Sequence, residues 1–511
     1  MKNFLFVAAE NDGIAACKAG GMADVVRDVP RHLVAKGDHV HVVVPSYGRL
    51  HQNGELQAKL DFRLRGGMTR ALLYKVAPKK HFKGLFHYVI HHEEITEGGI
   101  AHIYHDDGDA PFYTDAIKYF TFAAALAQAI KQGEFGKVDI AHLHDWHTSM
   151  LLVLKEYHPD FTVLRNIHWV YSIHNLAIQG IRPFYDNYSS VGNFFPEMSF
   201  DSKKLLDKRY PDCINLMAVG IRLADKVHTV SPSYVEETLK PSHHPDFIGG
   251  EGLEEDLQEA LAEGRYHGIL NGVNYSNFRK ATGGHLFYNL TKAIFVWLQD
   301  ESKKYKADFL AFTGERILPY INGDIKPTFV VGSVARLTQQ KFYFYKNSPE
   351  ALEHILTRLK EVGGIYVLLG TGDPEYESFF RKMSQKHSSL IFVNGQSEDL
   401  IDSIYLETDL YLMPSQFEPC GISQMLAMRN GTPCLVHATG GLRDTVNHLD
   451  TGFSFGDTTY SGSIQALTTT FDETLRIFME DKKLWKKIQK NAATKRFEWG
   501  IIIEQYHDLL Y

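Results

Sequence analysis

Short apolar runs rich in β-branched residues alternate along this chain with longer amphipathic stretches, the pattern of a parallel sheet wrapped by helices. In the first half the runs are FLFVAA (4–9), HVHVVVP (39–45), KVDIAHLH (137–144), WVYSIH (169–174) and ADKVHTVS (224–231). The pattern restarts with TFVVGSVA (328–335), IYVLLG (365–370), LIFVNG (390–395), LYLMPS (410–415) and TPCLVH (432–437). Many runs lead into Gly- or Ser-containing turns, with amphipathic stretches such as ALEHILTRLKEV (351–362) between them. Two doubly wound α/β domains in series are the natural reading. Their join is expected near GILNGVNYSNF (268–278), ahead of a helical, charged region around 290–310. The stretch 242–264 reads as a mobile loop followed by a helix. The segment RFEWGIIIEQYHDLLY (496–511) reads as a terminal helix able to cross back onto the first domain.

Composition narrows the function classes. A length of 511 residues suits roughly two to four domains. Lys+Arg 54 against Asp+Glu 61 gives a net charge of −7 with no basic block, which disfavours nucleic acid and anionic membranes as partners. Cys17, Cys213, Cys420 and Cys434 lie far apart without a CxxC pair, so neither a disulfide framework nor a zinc knuckle is expected. That suits a reducing compartment. The first apolar run is short and gives way to Glu10 and Asp12, so it reads as a strand rather than a secretory signal. No run of about 18 apolar residues occurs. The expected location is cytoplasmic.

In open α/β sheets ligands bind beyond the carboxyl ends of the strands, so the residues following each strand carry the information. After the first come Lys18-Ala19-Gly20-Gly21 and a helical run containing Asp24. Paired glycines let backbone approach a ligand, a helix start offers N–H groups to phosphate, and Lys18 adds a charge. The same pattern also serves as a plain turn. A later strand ends in His142-Leu143-His144-Asp145-Trp146-His147. Zinc is disfavoured there, because neighbouring strand positions face opposite ways. An Asp beside a Trp suits sugar hydroxyls and a sugar ring, or a structural role. His174, Asn175, Gln179 and Gly180 form a second polar cluster at the same edge.

In the second half, Arg336 and Lys341 flank a strand-to-helix junction. Positioned cations there stabilise a departing diphosphate, or form a solvated basic turn. Thr439-Gly440-Gly441 opens another helix, a second phosphate nest. Glu418 precedes Pro419, which places it in a turn, and Cys420-Gly421 follow. Cys420 reads as packing rather than as a nucleophile, since no histidine partner is singled out.

At these residues the chain resembles the bacterial glycogen synthase and plant starch synthase family. The matches run in order: KAGG (18–21), HDWH (144–147), SIHNLAIQG (172–180), SPSY (231–234), GILNGVN (268–274), ARLTQQK (335–341), GTGDP (370–374), FEPCGISQ (417–424) and TGGLRDTV (439–446). The resemblance implies a GT-B fold, two Rossmann-like domains facing each other across a cleft. The amino-terminal one (1–267, completed by 496–511) would take the acceptor and the carboxy-terminal one (268–495) the donor. It implies transfer of glucose from ADP-glucose to the non-reducing end of an α-1,4-glucan with retained configuration, without metal or cofactor. Lys18, Asp145, His174, Arg336, Lys341 and Glu418 would carry the chemistry. Gly20, Gly21, Asn271, Cys420, Gly421, Thr439, Gly440 and Gly441 would bind donor, while Asp24, Asn175 and Gln179 would lie on the acceptor side.

Some positions depart from that pattern. Phe342 stands where a glycine is expected after the lysine, Gln416 where a basic residue is common, and Gln396 where an aromatic ring would stack on adenine. Ile178 replaces a tyrosine and Phe278 a tryptophan. These leave UDP-glucose or another donor, or a catalytically weakened glucan-binding relative, as alternatives. A dehydrogenase is disfavoured, because no acidic residue stands in convincing context about 20 positions beyond the first glycines.

Overall fold

The computed structural model describes residues 1–96, 103–275, 285–300 and 306–511; Phe278 lies outside them. The chain divides into two compact units. Unit one comprises Met1–Ser242, Gly249–Gly272 and Trp499–Tyr511, and unit two His243–Ile248 and Val273–Glu498. Residues 243–248, read from sequence as part of the first domain, thus group with the second unit.

Among the described residues unit one carries a nine-stranded sheet. Its centre is Asn3–Val7, paired in parallel on one side with His39–Pro45 and on the other with Ile140–His144. Beyond Ile140–His144 follow His168–Ile173, Lys226–Thr229 and Tyr266–Gly268, all parallel. Central strands here are covered on both faces, which is why they read as unbroken apolar runs. Beyond His39–Pro45 come Leu85–His91 and then two antiparallel strands, Gly67–Lys75 and Glu55–Leu64. The last was not anticipated from apolar runs, because only alternate residues (Leu60, Phe62, Leu64) turn into the core. The helix Trp499–Leu509 returns to this unit, burying Trp499, Ile502, Ile503 and Tyr506 in its core.

Unit two has a six-stranded parallel sheet in the order Leu390–Val393, Ile365–Leu369, Val330–Val334, Leu410–Met413, Cys434–His437, Gly452–Phe455. The chain starts mid-sheet, builds outward one way, then returns and builds the other way. That reversal puts a topological switch point between Val330–Val334 and Leu410–Met413, where ligands of doubly wound sheets bind. In unit one the equivalent point lies between Asn3–Val7 and Ile140–His144. No described helix is long and apolar enough to cross a membrane.

Candidate functional site

In unit two the switch point collects the cations read from the sequence. Arg336 follows the strand Val330–Val334, is exposed, and makes no hydrogen bond or ion pair among the described residues. Lys341, in the next helix, pairs through Nζ with Oε2 of Glu418, which follows the neighbouring strand. Glu418 is buried, and Ser415 Oγ donates to the same oxygen at 3.1 Å. Arg336, Lys341, Ser415 and Ser423 help line a cavity of about 140 Å³ under these loops. A larger open depression, about 520 Å³, lies at the amino ends of the unit-one strands and is lined by none of the candidate site residues.

Close backbone approach explains the glycines of unit two. A Cβ on Gly441 would stand 2.3 Å from the Cys420 carbonyl oxygen, and one on Gly370 2.3 Å from that of Ala335. Gly421 takes the left-handed conformation (φ +72°) that lets the chain turn after the buried Cys420. The nest reading of Thr439 to Gly441 needs correction at one position. The Gly441 amide already donates to the carbonyls of Glu418 (3.0 Å) and Pro419 (3.2 Å), so it clamps the Glu418 turn. Thr439 and Gly440 open the short helix Gly440–Thr445.

The departures resolve differently. Phe342 lines the same cavity as Arg336 and Lys341 and is buried against Phe380 (centroids 4.9 Å apart) at a kink in the helix Gln339–Asn347. Gln416 is buried and donates to the Pro245 carbonyl at 3.1 Å. Gln396 and Ile178 are exposed.

In unit one the carboxyl ends of three adjacent strands bring together Glu10, Asp145 and His174. Asp145 sits in a strained left-handed backbone (φ 54°, ψ 178°) and accepts from the His174 amide at 2.7 Å. Burial pushes its carboxyl up to about 7, against the amides of His174 and Asn175, which pull it down. The His174 and His144 rings share a hydrogen bond of 2.9 Å (Nε2 to Nδ1), and burial lowers His174 to about 3. His142 bonds Tyr511 Oη at 2.7 Å and Ser172 Oγ at 2.6 Å, and Ser172 bonds His228 Nδ1 at 2.7 Å. The imidazoles are therefore neutral members of a hydrogen-bonded network. Asn271 is buried with Oδ1 unpartnered among the described residues, and Gly272 beside it leaves room only for Trp499, whose ring a Cβ would meet at 2.7 Å.

The loop after the first strand is organised by residues the sequence reading did not select. Glu10, buried, accepts from the amides of Ala19 and Gly20 (2.6 Å for Gly20), so the Gly20 amide is committed to a carboxylate. Gly21 caps the helix Met22–Ala35. Lys18 Nζ donates to Asp24 Oδ1 at 2.7 Å with Asp12 3.6 Å away. Burial works against the Lys18 charge, but the two carboxylates outweigh it and raise its pKa. Arg27 pairs with Asp12, Asp24 and Asp28. The available signal was Glu10 and Asp12, two carboxylates directly beyond a strand.

The two remaining acceptor-side residues have their own partners. Gln179 is buried and its amide is engaged at both ends, accepting from Arg209 (2.5 Å) and Asn215 (2.7 Å) and donating to the Glu251 carbonyl (3.1 Å). Its surroundings are structural. Asn175 closes its own turn by accepting from the Ala177 amide at 3.1 Å.

Residues 3–259 match the family described as starch synthase catalytic domain, and residues 322–495 match glycosyl transferases group 1. The glycogen synthase of Streptococcus sanguinis (strain SK36) is 32% identical over 99% of this chain and 98% of its own. That of Streptococcus pneumoniae (strain CGSP14) is 33% identical over the same shares. The chain belongs to the glycogen synthase and starch synthase family. Among solved structures it is similar to the catalytic domain of starch synthase IV from Arabidopsis thaliana bound to ADP and acarbose, with a TM-score of 0.76 at 23% identity, covering 100% of this chain and 98% of that one. A sucrose-phosphate synthase from Thermosynechococcus elongatus matches at 0.56 and 16%, over 100% of this chain and 98% of its own. The fold is GT-B, built from two Rossmann-like units, and the activity class is that of a hexosyltransferase making glucan.

Proposed function

We propose that this glucan synthase transfers glucose from ADP-glucose to the 4-hydroxyl at the non-reducing end of an α-1,4-glucan, with retention. The observation that carries the reading is the pair of cations at the unit-two switch point, Arg336 and Lys341, lining one cavity with Ser415 and Ser423. As the C1–O bond to the diphosphate breaks, negative charge collects on the leaving phosphate, and cations already in place stabilise it. The acceptor oxygen bonds to C1 on the face the phosphate leaves, and its proton passes to a phosphate oxygen. In unit one the neutral His174 and the carboxyl of Asp145 suit hexose hydroxyls, and Lys18 adds a positive charge in the loop after the neighbouring strand. Arrival of the diphosphate gives Lys341 a second anion, which frees Glu418 to accept from the donor glucose. Asn271 offers the donor sugar a buried carbonyl oxygen.

ADP as the leaving group is supported by the starch synthase relative, whose structure holds ADP. The exposed Gln396, which offers an amide where a ring would stack on adenine, favours testing a second donor. Initial rates with ADP-glucose and UDP-glucose, each with and without glycogen, decide the matter. A higher kcat/KM for ADP-glucose and an α-1,4-linked product are expected. Folded protein that transfers from neither donor overturns the reading.

A further inference from the structure

We propose that the segment His243–Ile248 positions the turn that carries Glu418, acting through Asp246 and Gln416. The proposal rests on the reading that Glu418 meets the donor glucose. From sequence the stretch 242–264 reads as a mobile loop followed by a helix, but its first part is folded on itself. The chain leaves unit one at Ser242 and rejoins it at Gly249, whose amide donates to Ser242 Oγ at 2.9 Å and closes the neck of the excursion. Beyond the neck, His243 and Phe247 exchange backbone hydrogen bonds of 2.9 and 3.0 Å. The excursion is a short finger, and it belongs to unit two.

Two hydrogen bonds anchor it there. Gln416 Nε2 donates to the Pro245 carbonyl at 3.1 Å, and the Tyr460 amide donates to Asp246 Oδ1 at 2.6 Å. Tyr460 is the first residue of the helix Tyr460–Glu480, where amides lack partners within the helix and the dipole favours an anion. Both anchors lead to the cations and the carboxylate of the switch point. The Tyr460 ring stacks on Phe344 (centroids 5.8 Å apart, planes 22° from parallel), and Phe344 lies in the helix that carries Lys341. Phe344 meets His437 edge-on at 5.1 Å, and His437 Nδ1 donates to the carbonyls of Ser415 (3.0 Å) and Gln416 (3.2 Å).

The backbone of the Glu418 turn is thus held from within unit two. Gln340 Nε2 donates to the Phe417 carbonyl at 3.2 Å, and the Gly441 amide to that of Glu418 at 3.0 Å. The Gln416 side chain adds a hold from another direction: it is buried, while its acceptor Pro245 is exposed, so this bond ties the turn to the surface finger. A carboxylate that must keep Lys341 and also accept from one hydroxyl needs placement within about 0.5 Å. The departure at position 416 then has a use. A neutral amide donates to the finger without setting another cation two residues from Glu418.

The test uses the full chain and reads three quantities: hydrogen exchange over residues 415–418, kcat with KM for glycogen, and the thermal midpoint. Asp246→Ala and Gln416→Ala are each expected to speed that exchange. Each should lower kcat roughly tenfold, inside the hundredfold that a misplacement of about 1 Å can cost, with KM for glycogen unchanged. Asp246→Asn keeps an oxygen for the Tyr460 amide and should stay near the parent. Asp246 is exposed, so an unchanged thermal midpoint is expected and excludes misfolding. In a Glu418→Gln background Asp246→Ala should cost nothing further, because the two act as one unit. Parent-like exchange and kcat in both alanine variants overturn the finger while the activity stands. Losses that multiply independently with that of Glu418→Gln overturn it as well. A folded parent that transfers from no nucleotide-glucose overturns the reaction and, with it, any part of the finger in that reaction.

Discussion

Nδ1 of His144 lies 2.9 Å from Nε2 of His174, and both rings are held neutral by burial. With His142 and His228 they form a group of imidazoles that the folded chain refuses to protonate. In the unfolded chain each titrates near its ordinary value of about 6.5. Below that value the unfolded state binds more protons, so stability is full above about pH 6.5 and is lost as the pH falls toward about 4 for His228 and about 3 for His174. Each ring contributes up to about 1.4 kcal/mol per pH unit in that window, with a smaller share for His174, which keeps some exposure. Thermal midpoints at pH 7.5 and 5.0 should differ markedly. His228→Gln should narrow the difference, and an unaltered difference would refute the assignment.

Asp145 works in the opposite sense. Burial raises its carboxyl from 3.8 to about 7, so its contribution is full below about pH 4 and is lost as the pH rises through about 7. Asp145→Asn keeps an acceptor for the His174 amide and removes the titration. Relative to the parent it should gain thermal stability between pH 5 and 8 while losing activity.

Lys341→Ala should lower kcat by roughly 100-fold or more, the scale of losing one positioned charge stabiliser. It also leaves Glu418 buried without its cation, so thermal midpoints must accompany the kinetics. Lys341→Arg restores the charge and should recover stability more fully than rate. Wild-type kcat in a folded Lys341→Ala protein would remove Lys341 from the reaction.

Gln179→Ala separates structure from acceptor binding. It strips Arg209 and Asn215 of an acceptor inside unit one, a loss on the order of 1–3 kcal/mol. A lowered thermal midpoint with KM for glycogen within about twofold is expected. A large KM change at unchanged stability would return Gln179 to the acceptor side.

The parallel strands were legible because strands buried on both faces read as continuous apolar runs, and the gathering of Arg336, Lys341 and Glu418 at one sheet edge because each comes soon after such a strand. The strand Glu55–Leu64 was not, since it is half-exposed and its apolar residues come every second position. Hydrogen-bond commitments were not legible either. Nothing in KAGG says that Glu10 occupies the Gly20 amide, and nothing in TGG says that Gly441 serves the Glu418 turn. Phe342 shows the same limit from the other side: its identity was visible, but its direction depends on a helix kink.

The helix Trp499–Leu509 has a consequence for how the molecule is made. Trp499 packs beside Gly272, Glu504 pairs with Lys36, and Tyr511 bonds His142, so residues 499–511 complete the core that residues 1–272 begin. A ribosome delivers residues 499–511 only after every residue of unit two has been made. Unit two is then the first that synthesis can finish, and the unit begun by residue 1 is the last, a reversal of the usual amino-terminal-first order. Until residues 499–511 emerge, the seat of Trp499 stands open on nascent protein, an apolar surface for chaperones to cover.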